Sequence, residues 1–169
     1  MDAVRQAPTW RLRKVSLLEP GDVVDERYRL ERVIARGGMG VVFEARDQLN
    51  GRRVALKTIH PDSNADPSLR ARFDIEGRVG RLVRSPHVAV VRDRGTHLGA
   101  PYLVMELVQG TTLATWLDER GPLERDKSLD VAAAVLRGLS AIHCVGAIHR
   151  DIKPANVILV RGEREAVLV

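Results

Sequence analysis

Three β-rich segments, separated by two glycine-containing turns, constrain the fold more than any other feature of the chain. They cover residues 28–34, 41–43 and 54–59. The first alternates apolar and charged residues, which is typical of a half-buried strand. Asn50-Gly51 lies between the second and third segments and is a strong hairpin signal, because both central positions of a type I′ turn require positive φ. The sequence therefore predicts a three-stranded antiparallel meander.

A helix is expected directly after the meander. Asp66 supplies an N-cap and Pro67 a first-turn proline, so the helix should begin here and run to about residue 82. Leu69, Phe73 and Glu76 share one face at helical spacing.

The later elements alternate in type. We expect strands near residues 88–91 and 102–107, a short helix capped by Thr111 or Thr112 and ended by Gly121-Pro122, a helix over residues 126–144, and a hairpin of residues 157–160 and 166–169 around Gly162. The apolar stripe of the 126–144 helix is expected to contain Ala132, Val135, Leu136, Leu139 and Ile142.

The composition is that of an ordinary globular protein. Of 169 residues, 44% are hydrophobic, and no window approaches the roughly 18 consecutive apolar residues of a membrane span. The net charge of +5 comes from arginines interleaved with acids, without interspersed aromatics, so we expect an arginine-rich surface rather than nucleic-acid binding. The single Cys144 excludes an internal disulfide, and the first 21 residues lack the apolar run of a secretory signal. A cytoplasmic location is expected.

A glycine cluster separates the first two strands. With its flanks it comprises Ile34, Ala35, Arg36, Gly37, Gly38, Met39, Gly40 and Val42. Glycines would let backbone amides approach a phosphate, although a plain tight turn explains the cluster equally well. No Lys-Ser/Thr follows, which excludes a Walker A loop, and a strand follows instead of the helix of a dinucleotide fingerprint. A glycine-rich hairpin between antiparallel strands is the protein-kinase arrangement.

Lys57 is a candidate phosphate ligand. In a strand it shares a face with Ala55, so it would point at a nucleotide lying against that face. A surface lysine at a strand end is the alternative. Glu76 favours the first interpretation, because a carboxylate on an apolar helix stripe needs a partner. We expect Lys57 and Glu76 to form an ion pair.

The segment from Ile148 to Asn156 carries the strongest motif. It matches the kinase catalytic loop His-Arg-Asp-hydrophobic-x-x-x-Asn, with Ile152 replacing the usual leucine. Asp151 would accept the proton of a substrate hydroxyl, and Lys153 would neutralise charge on the transferred phosphoryl group. Asn156 would offer an oxygen to Mg²⁺.

From about Val24 to Val169 the chain resembles a bacterial-type serine/threonine protein kinase. The Gly-Gly-Met-Gly run is typical of the bacterial branch, and Lys153 of serine/threonine specificity. The resemblance implies an α+β, protein-kinase-like fold: an antiparallel five-stranded small lobe with one helix, followed by the first helices and catalytic loop of the large lobe. It divides the chain into a leader (1–27), a small, ATP-binding lobe (28–106) and a partial large lobe (107–169).

The resemblance also implies an adenine site. Met105 would be the gatekeeper, and backbone groups of Glu106 and Val108 would hold the base. Val42 and Ala55 would cover the adenine from above, and Ile158 from below. ATP, Mg²⁺ and a protein serine or threonine are the implied ligands.

Three departures from the family pattern stand out. Ala35 replaces the first loop glycine, and Gly80 replaces a bulky residue of the regulatory spine. Gly77 and Gly80 should each weaken their helix by roughly 1 kcal/mol relative to alanine. The Asp-Phe-Gly motif, with the main magnesium aspartate, is expected immediately beyond Val169.

We therefore expect the 169 residues to be a fragment of a kinase that binds ATP without turnover when isolated. A non-catalytic nucleotide-binding or interaction module is the alternative.

Overall fold

The computed structural model describes residues 18–37, 40–59, 66–160 and 165–169, which form two antiparallel sheets and three α-helices. Six strands make the larger sheet: β1 (Val23–Val24), β2 (Tyr28–Arg36), β3 (Gly40–Asp47), β4 (Arg53–Ile59), β5 (Val91–His97) and β6 (Ala100–Glu106). Their spatial order is β1-β2-β3-β4-β6-β5. The expected meander is present as β2–β4, and the two-residue β1 adds a strand to the five that were expected.

The helices are α1 (Pro67–Gly80), α2 (Leu113–Arg120) and α3 (Arg125–Cys144). Asp66 caps α1 through a hydrogen bond from the Ser68 amide, and Thr112 caps α2 through one from the Thr115 amide. Gly121 ends α2 with φ at 75°. The predicted starts of both helices are therefore confirmed. Within the described ranges, no helix is long and apolar enough to cross a membrane.

The smaller sheet contains β7 (Thr111–Thr112), β8 (Val157–Leu159) and β9 (Ala166–Leu168) in that order. The predicted hairpin of β8 and β9 is present, and its expected turn at Gly162 lies outside the described residues. Backbone bonds tie β9 to the loop after α1. The Leu168 amide donates to His87 O at 2.9 Å, and the Ala89 amide donates to Leu168 O at 2.8 Å.

The larger sheet curls until side chains near its two edges meet. Arg27, in the turn before β2, contacts Asp47 at 2.8 Å and Asp93 of β5 at 2.9 Å. The Tyr28 hydroxyl also donates to Asp93, at 2.7 Å. The rings of Tyr28 and Tyr102 pack edge to face with centroids 6.0 Å apart. Because of the curl, the inner face holds a closed apolar core that includes Leu30, Phe43, Leu56 and Val104.

The turn between β3 and β4 differs from the expected type I′ hairpin. Five residues, 48–52, connect the strands, and of Asn50 and Gly51 only Gly51 has positive φ. The Asp47 carboxylate accepts hydrogen bonds from the Leu49 amide and the Asn50 side chain. This side-chain cap stabilises a longer turn that the Asn-Gly pattern alone does not reveal.

The strand expected at 88–91 begins only at Val91, because Val88 forms a single bridge to Leu168 instead of joining the large sheet.

The predicted stripe of α3 was wrong in part. Ala132 is exposed and Leu136 is 64% exposed, whereas the buried residues are Val131, Ala134, Gly138 and Ile142. Gly138 explains the rotation, since a Cβ there would lie 2.8 Å from His87 O and 3.0 Å from Leu168 Cδ1. The helix places Gly138 where the backbone of His87 comes closest. A pattern of hydrophobic residues does not reveal this, because it does not count glycine as a core position.

Candidate active site

Lys57 and Glu76 are joined across the gap between β4 and α1. Lys57 Nζ lies 2.7 Å from Glu76 Oε1 and 2.8 Å from Oε2. The ammonium group also lies 5.9 Å from the centroid of the Phe73 ring. Glu76 is not buried as expected, because 41% of its side chain is exposed. The pair is therefore partly exposed, so a ligand can reach the ammonium group.

Two glycines let α1 come close enough to deliver Glu76. A Cβ on Gly77 would lie 2.4 Å from Leu103 Cδ2, and a Cβ on Gly80 would lie 2.3 Å from Val91 Cγ2. Both distances are shorter than van der Waals contact, so alanine would push the helix away from the sheet. The glycines that weaken the helix as an isolated element thus support its packing.

The glycine hairpin is closed by two reciprocal backbone bonds. The Gly37 amide donates to Gly40 O at 2.9 Å, and the Gly40 amide donates to Gly37 O at 3.2 Å. Gly38 and Met39, two of the predicted loop residues, lie outside the described residues. A Cβ on Gly40 would lie 1.8 Å from Thr58 O, so only glycine fits at this position, where β3 begins to pair with the end of β4. Ile34, Ala35 and Arg36, at the end of β2, are exposed.

The predicted adenine-contacting residues share the strand face that carries Lys57. Val42 is paired directly with Lys57, and Ala55 is paired with Met105. Paired residues of antiparallel strands point to the same face, and Ala55 shares a face with Lys57 by alternation. Val42 and Met105 are half-buried, and Ala55 is buried.

The end of β6 and the segment after it carry two further residues of the predicted adenine site. The Glu106 amide donates to Val90 O at 2.9 Å. Val108 is buried in a small apolar cluster against which Ile158 of β8 packs. Val108 and Ile158 are therefore close in space, while their contact with adenine stays a prediction.

Asp151 is held by two neighbours from its own loop. Lys153 Nζ lies 2.9 Å from Asp151 Oδ2, and the Asn156 amide nitrogen donates to both the Asp151 carbonyl and Oδ2 at 2.9 Å. The lysine hydrogen bond is the main reason that the pKa of Asp151 is lowered. The aspartate is therefore ionised near neutral pH, and 61% of its side chain is exposed.

Local backbone geometry positions this loop. Arg150 has φ at 64°, in the left-handed region that non-glycine residues rarely adopt. Pro154–Asn156 form a 3₁₀ turn, and the Val169 amide donates to Asn156 O at 3.1 Å. The sequence predicted no separate role for Arg150. Its place in the catalytic-loop motif was the only indication that this residue is important.

His149 connects the loop with the Lys57–Glu76 pair. The Asp151 amide donates to His149 Nδ1 at 3.4 Å. Burial lowers the pKa of His149, and the charges of Asp151, Glu76 and Lys57 all act on the same imidazole. The charges of the loop and of the Lys57–Glu76 pair thus act on one histidine, a link that the linear sequence did not reveal.

Asn156 is suited to hold a cation. Its amide nitrogen donates to Asp151, and in the described part of the chain its Oδ1 has no hydrogen-bond partner. Amide oxygen is a ligand that Mg²⁺ accepts. The described residues contain no cluster of three or more His, Cys, Asp or Glu side chains able to hold a metal.

Comparison with known proteins assigns this architecture. The family model described as "Protein kinase domain" matches residues 28–168. The chain belongs to this family. The serine/threonine-protein kinase PknE of Mycobacterium bovis is 40% identical to the kinase domain over 142 residues, covering 84% of this chain and 25% of the relative. The serine/threonine-protein kinase PknA of Mycobacterium tuberculosis is 40% identical over 144 residues, covering 82% of this chain and 33% of the relative. The chain thus spans a quarter to a third of the length of these relatives.

A solved structure supports the fold assignment. The crystal structure of the M. tuberculosis PknI kinase domain superposes on this kinase domain with a TM-score of 0.78 and 30% sequence identity. The match covers 89% of this chain and 60% of that chain. The expected kinase-like α+β fold and the serine/threonine kinase family are confirmed.

Proposed function

We propose that this kinase domain binds ATP and takes part in transferring its γ-phosphate to a serine or threonine hydroxyl of a protein. The observation that carries the proposal is the exposed, ionised Asp151 held between Lys153 and Asn156. This arrangement would share a cleft with the Lys57–Glu76 pair, a placement supported by the charges of Asp151, Glu76 and Lys57 that all act on His149. One side of the cleft can therefore orient a hydroxyl, while the other neutralises phosphate.

Asp151 would orient the substrate hydroxyl. Its lowered pKa makes it a weak base, so its main contribution is to accept a hydrogen bond and align the oxygen for attack. Lys153 lies 2.9 Å from the same carboxylate. Its ammonium group would offset negative charge on the phosphoryl group.

Lys57 would hold nucleotide phosphates, with Glu76 fixing its position. Both oxygens of Glu76 lie within 2.8 Å of Lys57 Nζ, which restricts the flexible lysine side chain. Val42 and Ala55 would contact the adenine from one side and Ile158 from the other. Met105 and the backbone of Glu106 and Val108 would border it.

The residues present fit one magnesium ligand. Asn156 Oδ1 would hold the ion, because the amide nitrogen already donates to Asp151. A bound Mg²⁺ would supply positive charge to the phosphate oxygens. We further propose that the kinase domain acts in the cytoplasm, where ATP and protein substrates are available.

Phosphate transfer in the native polypeptide tests the proposal. The polypeptide that carries this sequence is purified from its own cells and incubated with Mg²⁺, labelled ATP and a mixture of cell proteins. Label should appear on serine or threonine and be lost in Asp151→Asn, while nucleotide affinity is retained. Nucleotide binding without any transfer in the parent polypeptide would instead establish a non-catalytic binding module.

A further inference from the structure

A second concavity lies between α1 and the β5–β6 hairpin. It encloses about 380 Å³ and is lined by residues of α1 from Arg70 to Arg78 and of the two strands from Arg94 to Leu103. None of the candidate active-site residues is among its described lining residues. We refer to it as the α1 groove.

Its walls carry an excess of positive charge. Arg70 and Arg78 of α1 and Arg94 of β5 line the groove, whereas Asp74 is the one acidic residue among its described lining residues. Three guanidinium groups and one carboxylate leave two uncompensated positive charges. All four side chains belong to exposed residues, so the charge is accessible to a binding partner.

The groove arginines have no carboxylate partner within the described part of the chain. Asp74 is four residues from both Arg70 and Arg78, a spacing that often supports ion pairs, yet no ion pair within 4.0 Å joins it to either one in the described ranges. By contrast, Arg46 of β3 contacts Glu31 at 2.7 Å. Within the described ranges, the groove guanidinium groups therefore have hydrogen-bond donors that no carboxylate uses.

The floor of the groove is closely packed and offers little apolar surface. Phe73, Tyr102 and Leu103 are each no more than 3% exposed. Gly95 lies against the Tyr102 ring, because a Cβ there would lie 2.5 Å from its hydroxyl oxygen. A ligand would consequently gain its affinity from the charged walls and not from apolar burial.

We propose that the α1 groove binds an acidic peptide segment, rich in aspartate or glutamate, of a partner protein. Guanidinium groups bind carboxylates with paired hydrogen bonds. A peptide in extended conformation places a side chain on one face at every second residue, so it can reach donors on both the helix and the strand. The floor has no exposed aromatic face on which nucleic-acid bases could stack.

Fluorescence anisotropy tests the groove without nucleotide. The 169-residue chain is titrated against a short labelled peptide of alternating glutamate and glycine. We expect Arg78→Glu and Arg94→Glu each to weaken binding by about tenfold, and added salt to weaken it further. Arg72→Glu changes the charge of the same helix outside the described groove lining and should have little effect.

Further controls separate this proposal from the alternatives. A saturating ATP analogue should leave peptide affinity unchanged, which makes the result independent of nucleotide binding. A glutamine–glycine peptide should not bind. Equal losses in Arg72→Glu and Arg78→Glu would show unspecific charge attraction and overturn the proposal. An oligonucleotide that binds more tightly than the peptide and is released by Arg78→Glu would overturn it in favour of nucleic acid.

Discussion

At the scale of single residues, the candidate site depends on a few hydrogen bonds among ionised side chains. Asp151 is exposed, yet its pKa is lowered because Lys153 and Asn156 donate to it. Lys57 is held by a carboxylate that is itself partly exposed. These contacts set the positions of charges and have little effect on folding, since exposed ion pairs contribute little stability.

Removing the Lys153 ammonium should raise the pKa of Asp151 toward its ordinary value. In the folded chain this pKa is lowered, mainly by Lys153, so the contact stabilises the fold above the ordinary aspartate pKa and is lost as the pH falls. A carboxyl NMR titration of Lys153→Met measures the shift. Arg120→Met removes a cation that packs on Trp116 and should leave Asp151 unaffected. An unchanged titration in Lys153→Met would mean that Asn156 alone controls Asp151.

Glu76 should matter for nucleotide affinity through Lys57. Glu76→Ala frees the lysine side chain, and we expect the affinity for an ATP analogue to fall about tenfold, or about 1.4 kcal/mol. Isothermal titration measures the change. Asp74→Ala, two residues away on the same helix, serves as the matched control, with little expected effect. Equal affinities for Glu76→Ala and the unchanged chain would contradict the role of the pair.

At the scale of elements, close packing decides how α1 lies on the sheet. Gly80→Ala would raise helix propensity by roughly 1 kcal/mol. However, the new methyl group would collide with the stiff Val91 side chain. We expect a net destabilisation of about 1–3 kcal/mol, measured by urea unfolding.

The double variant Gly80→Ala/Val91→Ala tests this cause directly. Since Val91→Ala removes the colliding atom, the two changes together should cost less than the sum of the single changes. Gly77→Ala should be tolerated better than Gly80→Ala, because it meets the flexible end of Leu103. Strict additivity would show that the collision is not the cause.

The same packing explains which elements could be predicted. Local signals were sufficient for the β2–β4 meander and for the caps at Asp66 and Thr112, because these depend on residues close in sequence. The buried face of α3 was predicted only in part, because neighbours distant in the sequence, His87 and Leu168, determine where Gly138 lies.

The residue types allowed us to predict which side chains form the candidate site, but not how exposed those side chains are. The approach of Lys57 to Glu76 was anticipated from strand and helix faces. The exposure of Glu76 and the partial burial of His149 were not, because both depend on neighbours distant in the sequence.

At the scale of the whole molecule, side chains connect the two edges of the large sheet. Asp47 is 5% exposed, and its pKa is lowered chiefly by the hydrogen bond from Arg27. Arg27 also reaches Asp93 on β5. The curled sheet thus depends on a charge network that spans elements distant in the sequence.

Asp47→Asn should reduce the free energy of unfolding near neutral pH by about 1–3 kcal/mol. Because the folded pKa of Asp47 is lowered, its contribution is present above the ordinary aspartate pKa and disappears as the pH falls. The variant and the unchanged chain should therefore approach each other in acid, as urea unfolding at about pH 7 and about pH 3 would show. Asp118→Asn, at an exposed position on α2, should change neither value. A difference that persists in acid would rule out the charge as its origin.

The bonds of Leu168 to His87 and Ala89 bear on any attempt to re-engineer the chain. The backbone amide and carbonyl of Leu168 both bond to the loop after α1, and so connect two segments that are distant in the sequence. An insertion between His87 and Ala89 would prevent Leu168 from making both hydrogen bonds, even if both segments kept their own conformation. Split reporters and circular permutations of this kinase domain should consequently keep that junction uncut.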